Sequence, residues 1–454
     1  MSTQPLHIII IGAGTGGLCL AQGLKQAGIS VAVYERDRTR INPLQGFRVG
    51  IGPDGIRGLR ANLPPELFET FLATCARPPL YLNLLTEQMQ ELMIMESTLM
   101  ADDPDPAKRE HTVSRMTMRQ VLLSGLEESV VHFDKTFTRY EQHEDGTVTA
   151  FFEDGSSATG TVLVAADGAS SRVRRQYLPH ATLVETGLLS AGAKVPMTPE
   201  NVALVSEKVF KGMSMIFASG GLGFILHMVE FPWRHDGQLK PGIGVNEAEV
   251  LAHWPGMLYD NESDYIGWGL WAPRHKFPRN PMSLRGEELV AVTQEMTSSW
   301  HPNLRTLIAR SDPSTALPVN IRTSLPIEPW ATTNITLLGD AIHTMTPGRG
   351  AGANTALRDA QLLCKQLVAV HNGKLDLLTA IHGYEEKMQK YGAEAVKQSL
   401  AQMDANAPIH KPVIGPAIMA TQRTMLRAIN HIPPAKRAMA RAFSRGRGAD
   451  RQDD

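Results

Sequence analysis

Cysteine is scarce in this sequence. Only three occur among 454 residues, at Cys19, Cys75 and Cys364, and they are widely spaced. An odd, scattered set cannot form a disulfide framework, and it is too small to supply four zinc ligands on its own. We therefore expect a reducing compartment and no metal site, and we interpret Cys19 as a small apolar residue on the inner side of a helix.

Long hydrophobic runs are missing as well. No segment approaches the roughly 18 consecutive apolar residues that a membrane-spanning helix needs. The N-terminal residues MSTQPLH lack the basic flank and apolar stretch of a secretory signal. With 43% hydrophobic and 20% charged residues, the composition is typical of a globular enzyme. We expect a cytoplasmic protein without a membrane span.

Net charge is nearly absent, because 45 basic residues are balanced by 46 acidic ones. This balance provides no global field to attract nucleic acid, so no nucleic-acid partner is expected. One region departs from it: residues 405–449 contain eight Lys and Arg and no Asp or Glu. We predict one or two amphipathic helices there, interrupted at Pro433 and Pro434.

The N-terminal residues follow a strand–helix–strand pattern. Four consecutive isoleucines ending at Ile11 predict a strand buried on both faces, and SVAVYE predicts a second, parallel strand after a helix. Between the first strand and the helix, Gly12, Gly14 and Gly17 match G-x-G-x-x-G, whose glycines let the backbone approach a pyrophosphate. Glu35 ends the second strand, where its carboxylate can accept both ribose hydroxyls. The pattern predicts a dinucleotide site without separating NAD from FAD.

Two later motifs make that separation. In VLVAADGASSRVRR, Asp167 and Gly168 follow a buried strand. In ITLLGDAIHTMTPGRGAGAN, Asp340 ends another strand ahead of a glycine-rich loop that opens a long helix. The three motifs, in this order and at this spacing, resemble the FAD-dependent aromatic hydroxylases of the para-hydroxybenzoate hydroxylase fold. They span most of the chain.

The resemblance implies an α/β fold in which a doubly wound, Rossmann-like FAD-binding domain is interrupted by a substrate domain built on a mixed β-sheet. A helical, basic C-terminal extension follows. We favour a solvated extension lying on the FAD domain, with contact to an acidic protein or membrane surface as the alternative. The predicted bounds are 1–75, 106–185 and 326–400 for the FAD-binding domain, 76–105 and 186–325 for the substrate domain, and 401–454 for the extension.

The resemblance also assigns cofactor-binding roles to side chains outside the glycine fingerprint. Glu35 would bind the adenosine ribose, and Arg36 would lie near the adenine. Arg119 would face the FAD phosphates and ribityl chain, and Asp340 would accept hydrogen bonds from the ribityl hydroxyls. Asp167 would lie beside the pyrophosphate and the nicotinamide path. Arg48 is a further candidate, because the family's chain passes the flavin there.

The glycine-rich loop is expected to lie against the flavin ring. Its glycines let the backbone come close to a flat ring, and the following helix would point its positive end at the flavin N1 and C2 carbonyl, where the reduced flavin carries negative charge. Many relatives have a bulkier polar residue where this chain has Ala351. The predicted contact residues of this loop are Pro347, Gly350, Gly352, Ala353 and Asn354.

The function implied is that of a single-component monooxygenase of secondary metabolism. NADH or NADPH would reduce FAD, O₂ would form a flavin C4a-hydroperoxide, and one oxygen atom would enter an aromatic or polycyclic small molecule. The alternatives are a flavin-dependent halogenase and a non-catalytic flavin- or nicotinamide-binding protein. The flavin supplies the chemistry, so no side chain is predicted to act as an acid or base. The chain would be a monomer or a homodimer.

Four residues carry two interpretations each. His343 is more readily a structural residue packed behind the Asp340 loop than a general base. Trp268 and Trp271 lack the W-x-W-x-I-P spacing of flavin halogenases, and they belong either to a core or to a pocket wall. His227, which interrupts an apolar strand, is either a structural residue or a pocket residue.

Overall fold

Two sheets organise the molecule, and the structure, a computed structural model, describes residues 5–40, 47–97, 105, 109–126, 128–231 and 264–445. No helix in these ranges is long and apolar enough to cross a membrane. The strands are His7–Ile11 (β1), Ser30–Tyr34 (β2), Arg48–Ile51 (β3), Tyr81–Leu85 (β4), Glu91–Glu96 (β5), His111–Ser114 (β6), Val131–His132 (β7), Phe137–Gln142 (β8), Val148–Phe152 (β9), Ser157–Gly160 (β10), Val162–Ala165 (β11), Leu183–Pro196 (β12), Gly212–Ala218 (β13), Leu222–Val229 (β14), Tyr265–Pro273 (β15), Asp312–Ser324 (β16) and Ile335–Leu337 (β17).

Helices surround these sheets. Within the described part of the chain they are Thr15–Gln26 (α1), Pro53–Asn62 (α2), Pro65–Thr74 (α3), Arg115–Leu123 (α4), Arg172–Tyr177 (α5), Pro199–Val202 (α6), Glu207–Phe210 (α7), Gly286–Met296 (α8), Pro302–Ala309 (α9), Asp340–His343 (α10), Gly352–His371 (α11), Leu377–Gln402 (α12), Gly415–Asn430 (α13) and Pro433–Arg445 (α14).

The first sheet is parallel and has the order β17-β11-β1-β2-β7. Its strands are short and almost wholly apolar because helices cover both faces. Ile8, Ile9 and Ile10 are completely buried, and α11 packs against α1, α2 and α12 at its side. Cys19 lies in this core, where burial raises the pKa of its thiol to about 12. The carboxyl ends of β1, β11 and β17 therefore meet at one edge, where loops gather.

The second sheet has seven strands in the order β16-β12-β15-β14-β13-β4-β5, and its pairs are antiparallel except β4 with β13. Alternate side chains give it two faces. One, the buried face, includes Ala191, Leu226 and Trp268 and packs against α8 and α9. The other, here called the cleft face, includes Lys194 and Met213. Phe47 and Arg48, which precede α2 in the chain, contact this face at Lys194 and Met213.

The C-terminal helices lie on the second sheet, so the expectation that they rest on the FAD domain is wrong. Leu426 of α13 and Ala440 of α14 join an apolar cluster with side chains of β4 and β5. Asn430 accepts a hydrogen bond from the backbone N–H of Ile94 at 3.2 Å. Arg423 donates to the carboxylate of Glu87. The predicted interruption is present, because α13 ends at residue 430 and α14 begins at Pro433.

Candidate cofactor site

The glycine fingerprint forms an open turn at the carboxyl end of β1. Gly12 has φ of +109°, and a Cβ there would stand 2.4 Å from the carbonyl oxygen of Ala166. A Cβ on Gly17 would stand 2.3 Å from the Gly12 carbonyl oxygen. Gly14 differs, because a Cβ there would meet no protein atom within 4 Å. Gly14 also caps α1 without a side-chain hydrogen bond, so this end of the helix is free to receive an anion.

Glu35 lies beside this turn as the motif predicts. One carboxylate oxygen accepts a hydrogen bond from the N–H of Ala13 at 2.6 Å, and the other accepts one from the N–H of Asp37 at 2.9 Å. These bonds fix the carboxylate against the glycine turn. Arg36, the next residue, is exposed.

Arg119 projects from α4 into the same region. It is buried, and its Nη1 donates to Asp37 Oδ2 at 2.7 Å while its Nη2 lies 4.0 Å from Glu35 Oε2. Among the described residues, its Nε and Nη2 have no hydrogen-bond partner, although a buried donor left unpaired costs free energy. These atoms point to a missing acceptor such as a phosphate or hydroxyl oxygen. The sequence analysis did not single out Asp37, which is two residues beyond Glu35.

Asp167 lies at the end of β11 and caps α5. Its Oδ2 accepts hydrogen bonds from the N–H groups of Arg172 at 2.8 Å and Val173 at 3.4 Å. Its Oδ1 is buried, and no group in the described part of the chain forms a hydrogen bond with it. Burial raises the pKa of Asp167, and these N–H groups and the hydroxyl of Ser171 oppose the rise. This unpaired oxygen is a second polar atom at the site that can accept a hydrogen bond from a ligand.

Arg174 joins two of the motif loops and was missed by sequence reasoning. Its Nη1 donates to the carbonyl of Ala341 at 2.7 Å, and its Nη2 donates to the carbonyl of Ala169 at 2.9 Å. Because both acceptors are backbone groups, no residue pattern marks the interaction. The clamp holds the Asp167 loop against the Asp340 loop.

Asp340 begins α10 and faces the first turn of α11. A Cβ on Gly352 would lie 3.7 Å from Asp340 Oδ1. Solvent reaches Asp340, yet the surrounding protein atoms raise the pKa of its carboxyl, and the charges of His343 and Arg115 oppose that rise. Arg115 was also missed. It precedes Arg119 by four residues, and this helical spacing, which puts both on one face of α4, could have revealed it.

His343 lies behind this loop. Its Nε2 is 2.6 Å from Asp359 Oδ2, and that oxygen also accepts a hydrogen bond from the N–H of Gly339 at 2.7 Å. Burial alone would lower the pKa of His343, but Asp359 raises it above the ordinary value. The pair is buried between α11 and the loop, which supports the structural interpretation of His343.

Asn354 connects the glycine-rich loop to β3 and α2. Its Oδ1 accepts a hydrogen bond from the N–H of Gly52 at 2.7 Å, and its Nδ2 donates to the carbonyls of Gly50 and Gly350 at 3.0 and 2.9 Å. Gly350 has φ of +59°, the left-handed conformation that favours glycine. The loop turns at Pro347–Arg349 and Ala353 lies in the first turn of α11. Asn354 thus holds the glycine-rich loop against β3 through its hydrogen bonds to backbone groups.

Arg48 lies at the start of β3, which pairs with β6, and reaches the second sheet. Its Nη1 donates to Thr112 Oγ1 at 3.2 Å and its Nη2 to Met213 Sδ at 3.4 Å. The second contact is to the cleft face. The structure therefore places Arg48 at the second sheet and not at the glycine fingerprint.

The two tryptophans of β15 point to opposite faces. Trp268 is in the core, where its ring stacks on Phe224 with centroids 5.8 Å apart and its Nε1 donates to Ser311 Oγ at 2.8 Å. Trp271 is on the cleft face, half-buried, with its ring over Gly223. The core interpretation therefore applies to Trp268, and the pocket-wall interpretation applies to Trp271.

Two family models match the chain. Residues 10–71 match an NAD(P)-binding Rossmann-like domain, and residues 284–399 match an FAD binding domain. The first segment contains the glycine fingerprint and Glu35, and the second contains Asp340 and the glycine-rich loop. Both therefore cover residues that the structure brings to the same edge of the parallel sheet.

Solved structures show the same architecture. A protein of Photorhabdus luminescens subsp. laumondii, assigned as an FAD-containing monooxygenase, is 33% identical with a TM-score of 0.75, and the match covers 90% of this chain and 100% of that one. HpxO of Klebsiella pneumoniae in complex with FAD and uric acid has a TM-score of 0.72 at 21% identity, with 96% of each chain covered. At 21% identity, the similarity to HpxO shows a shared fold and nothing more.

A curated relative extends the comparison. The dual O-methyltransferase/FAD-dependent monooxygenase of Phaeosphaeria nodorum is 30% identical over 445 residues, which are 88% of this chain and 44% of that protein. The chain thus spans less than half the length of this relative. Together, the fold and these matches show that the chain belongs to the FAD-dependent monooxygenases of the para-hydroxybenzoate hydroxylase fold, and FAD is its cofactor.

The residues fit this cofactor. A pyrophosphate needs open space and free N–H groups, which Gly14 and the start of α1 provide. Hydroxyl and phosphate oxygens need donors, and Arg119 has two unpaired nitrogens there. A hydroxyl donor needs an acceptor, and Asp167 Oδ1 is unpaired. Each of these three features of the site corresponds to a group that FAD carries.

Proposed function

We propose that this protein is a single-component FAD-dependent monooxygenase that uses NADH or NADPH and O₂ to insert one oxygen atom into an aromatic or polycyclic small molecule. The observation that carries the proposal is the convergence of three motif loops around polar atoms without protein partners. Arg119 and Asp167 supply those atoms, and Gly14 leaves the space between them and α1 open. Family membership supports the reaction type.

FAD, when bound, supplies the chemistry of accepting a hydride from the nicotinamide and passing electrons to O₂. The protein's part is to bind and orient. Glu35 would hold the ribose hydroxyls, the start of α1 the pyrophosphate, and Asp340 the ribityl hydroxyls. The N-terminal end of α11, with its N–H groups directed into the cleft, would stabilise negative charge on the flavin ring.

The positioning residues keep this arrangement rigid. Asn354 fixes the glycine-rich loop to β3, Arg174 fixes the Asp167 loop to the Asp340 loop, and the pair of His343 and Asp359 fixes the Asp340 loop to α11. The substrate would enter between this edge and the cleft face of the second sheet. A cytoplasmic monomer or homodimer is part of the same proposal. The reducing compartment is supported by the three cysteines, which are buried thiols in the described residues.

The halogenase alternative receives no support, because Trp268 is a core residue and the relatives named above are monooxygenases. A non-catalytic FAD-binding protein is the other alternative. The two are separated by the fate of O₂, because only a monooxygenase transfers one of its atoms to the product.

The test uses the FAD-loaded protein with NADH or NADPH and a panel of flat phenols and quinones under ¹⁸O₂. We expect substrate-stimulated nicotinamide oxidation and a product heavier by one ¹⁸O atom. Incorporation from labelled water, or failure of both nicotinamides to reduce the bound FAD anaerobically with a bound panel compound, would contradict the proposal.

A further inference from the structure

Three neighbouring glycines lie on the cleft face of the second sheet. Gly267 and Gly269 of β15 point to this face, and Gly192 of β12 is paired directly with Gly269. Neighbouring residues of the same strands on the other face are buried, among them Trp268 and Leu270 of β15. Gly192 and Gly269 are half-buried, whereas Gly267 is buried. The pair Gly192 and Gly269, here called the glycine floor, leaves a shallow depression with backbone at its base, suited to a flat molecule.

Aromatic side chains stand at both ends of this floor. Tyr265 and Trp271 belong to the same strand and the same face as the glycines, because they continue the alternation of β15. Beyond Trp271 lies a cluster that contains Met403, and a Cβ on Gly348 would come within 2.8 Å of Met403 Cγ. The floor is therefore close to the glycine-rich loop at that end.

Two polar side chains flank the floor. Gly267 is paired with His227 of β14 on one side and with Lys194 of β12 on the other. The three residues thus form one row across the sheet, with the glycine in the middle. Two strand spacings, about 10 Å, separate the backbones of His227 and Lys194. Gly267 itself is buried beneath two rings, because a Cβ there would stand 2.7 Å from Nε2 of His227 and 3.2 Å from Cε2 of Tyr265.

Lys194 carries a positive charge that no carboxylate of the described residues neutralises. Among the described residues no carboxylate oxygen lies within 4 Å of its Nζ. The contacts of Nζ are with aromatic rings, 4.5 Å from the centroid of Tyr265 and 5.1 Å from that of Phe47. Such rings hold a cation in place without consuming its hydrogen-bond donors. The ammonium group is therefore oriented and able to pair with an incoming anion.

His227 carries no positive charge near neutral pH. Burial lowers the pKa of its imidazole well below the ordinary value, and the charge of Arg48 lowers it further. Its Nδ1 is buried without a hydrogen-bond partner. A neutral imidazole can donate from one nitrogen and accept at the other, so it can bind a hydroxyl or an oxyanion.

We propose that the glycine floor binds a flat polycyclic aromatic substrate that carries an ionised acidic group, either a carboxylate or an acidic phenolate. Lys194 pairs with the negative charge, and His227 forms a hydrogen bond with an oxygen atom attached to the ring system. The proposal rests on the proposed monooxygenase function and names the substrate class. Lys194 is a specificity residue in this account, since it selects the anion and takes no part in the oxygen transfer.

The test compares a matched pair of probes, anthraquinone-2-carboxylate and anthraquinone-2-carboxamide, which differ in charge and share their ring system. Binding to the FAD-loaded protein is followed by the change in the flavin absorption spectrum. We expect the carboxylate to bind about tenfold or more tightly than the amide, in the range of one buried charge pair. In Lys194→Met the preference should fall to within about twofold, and in Lys194→Arg most of it should persist.

Lys374→Met, a change on an exposed turn, is the matched control and should retain the preference of the wild type. Retained FAD and an unchanged unfolding temperature show that the Lys194 variants are folded. Equal binding of the two probes by the wild type, binding of neither, or an undiminished preference in Lys194→Met would overturn the inference. The proposed function would still stand if ¹⁸O entered a neutral product, and it would fall if FAD were not reduced.

Discussion

In the parallel sheet the motif residues Gly12, Glu35, Asp167 and Asp340 lie beyond the ends of strands, whereas in the mixed sheet the candidate groups lie on a face. The first arrangement needs helices on both faces, so only the loops are free to carry function. The second needs a core on one face only, and the other face is available to a ligand. The cofactor site therefore consists of short local motifs, and the candidate substrate site combines single residues from several strands.

The largest expected effect is the difference between valine substitutions at two glycines of the fingerprint, Gly12 and Gly14. Gly12→Val puts a branched side chain at φ of +109° and against the Ala166 carbonyl, so we expect little folded protein. Gly14→Val meets no protein atom within 4 Å of its Cβ, so the apoprotein should fold while FAD affinity falls. Expression yield, thermal unfolding and FAD titration measure the difference. Equal behaviour of the two variants would contradict the assignment of Gly14 to the pyrophosphate.

A second pair of variants compares the two faces of the mixed sheet. Trp268→Ala removes a buried ring and should cost about 3 to 5 kcal/mol of unfolding free energy. Trp271→Ala should cost less, because that ring is half-buried, and should weaken binding of anthraquinone-2-carboxylate. Chemical unfolding and the spectral titration give both numbers. A smaller stability loss for Trp268→Ala than for Trp271→Ala would show that the faces are wrongly assigned.

A third variant tests the loop beyond β17. Asp340→Ala removes the acceptor assigned to the ribityl hydroxyls and should lower FAD affinity by a factor of about 10 to 150, or about 1.5 to 3 kcal/mol. Glu386→Ala, at an exposed ion pair on α12, is the control and should leave FAD affinity unchanged. Titration of the two apoproteins decides the question, and unchanged affinity in Asp340→Ala would remove its assigned role.

The smallest effect depends on pH. The pKa of His343 is raised in the folded protein, so protonation favours folding. This contribution is complete below the unfolded value of about 6.5 and disappears as pH rises through the folded pKa. We expect His343→Gln to destabilise by about 1 to 2 kcal/mol at pH 6 and by less at pH 9. Urea unfolding at the two pH values measures this, and a larger loss at pH 9 would reverse the sign.

The cofactor motifs could be predicted because each is local. Gly12, Glu35, Asp167 and Asp340 each follow a strand that the sequence marks with an apolar run, and strand ends of a parallel sheet meet. Arg174 could not be predicted in the same way, since it binds backbone carbonyls of two loops that are distant in sequence.

The row of Lys194, Gly267 and His227 was also out of reach. It depends on the register of three strands, and nothing local to any of the three residues encodes that register. The position of the C-terminal helices was predicted wrongly for a different reason. Their basic composition suggested a solvated surface, but a few apolar side chains, among them Met419 and Leu426, are buried and determine where α13 packs.

The packing of α13 and α14 on β4 and β5 also affects how the chain can be shortened. A variant that stopped at residue 402, close to the end of the FAD-binding match, would expose Leu82, Leu84, Met93 and Met95 on the edge of an open sheet. Uncovered apolar edges of this kind promote self-association. Such a truncated protein would be expected to aggregate with its flavin motifs intact, so its lack of activity would reflect a damaged substrate domain.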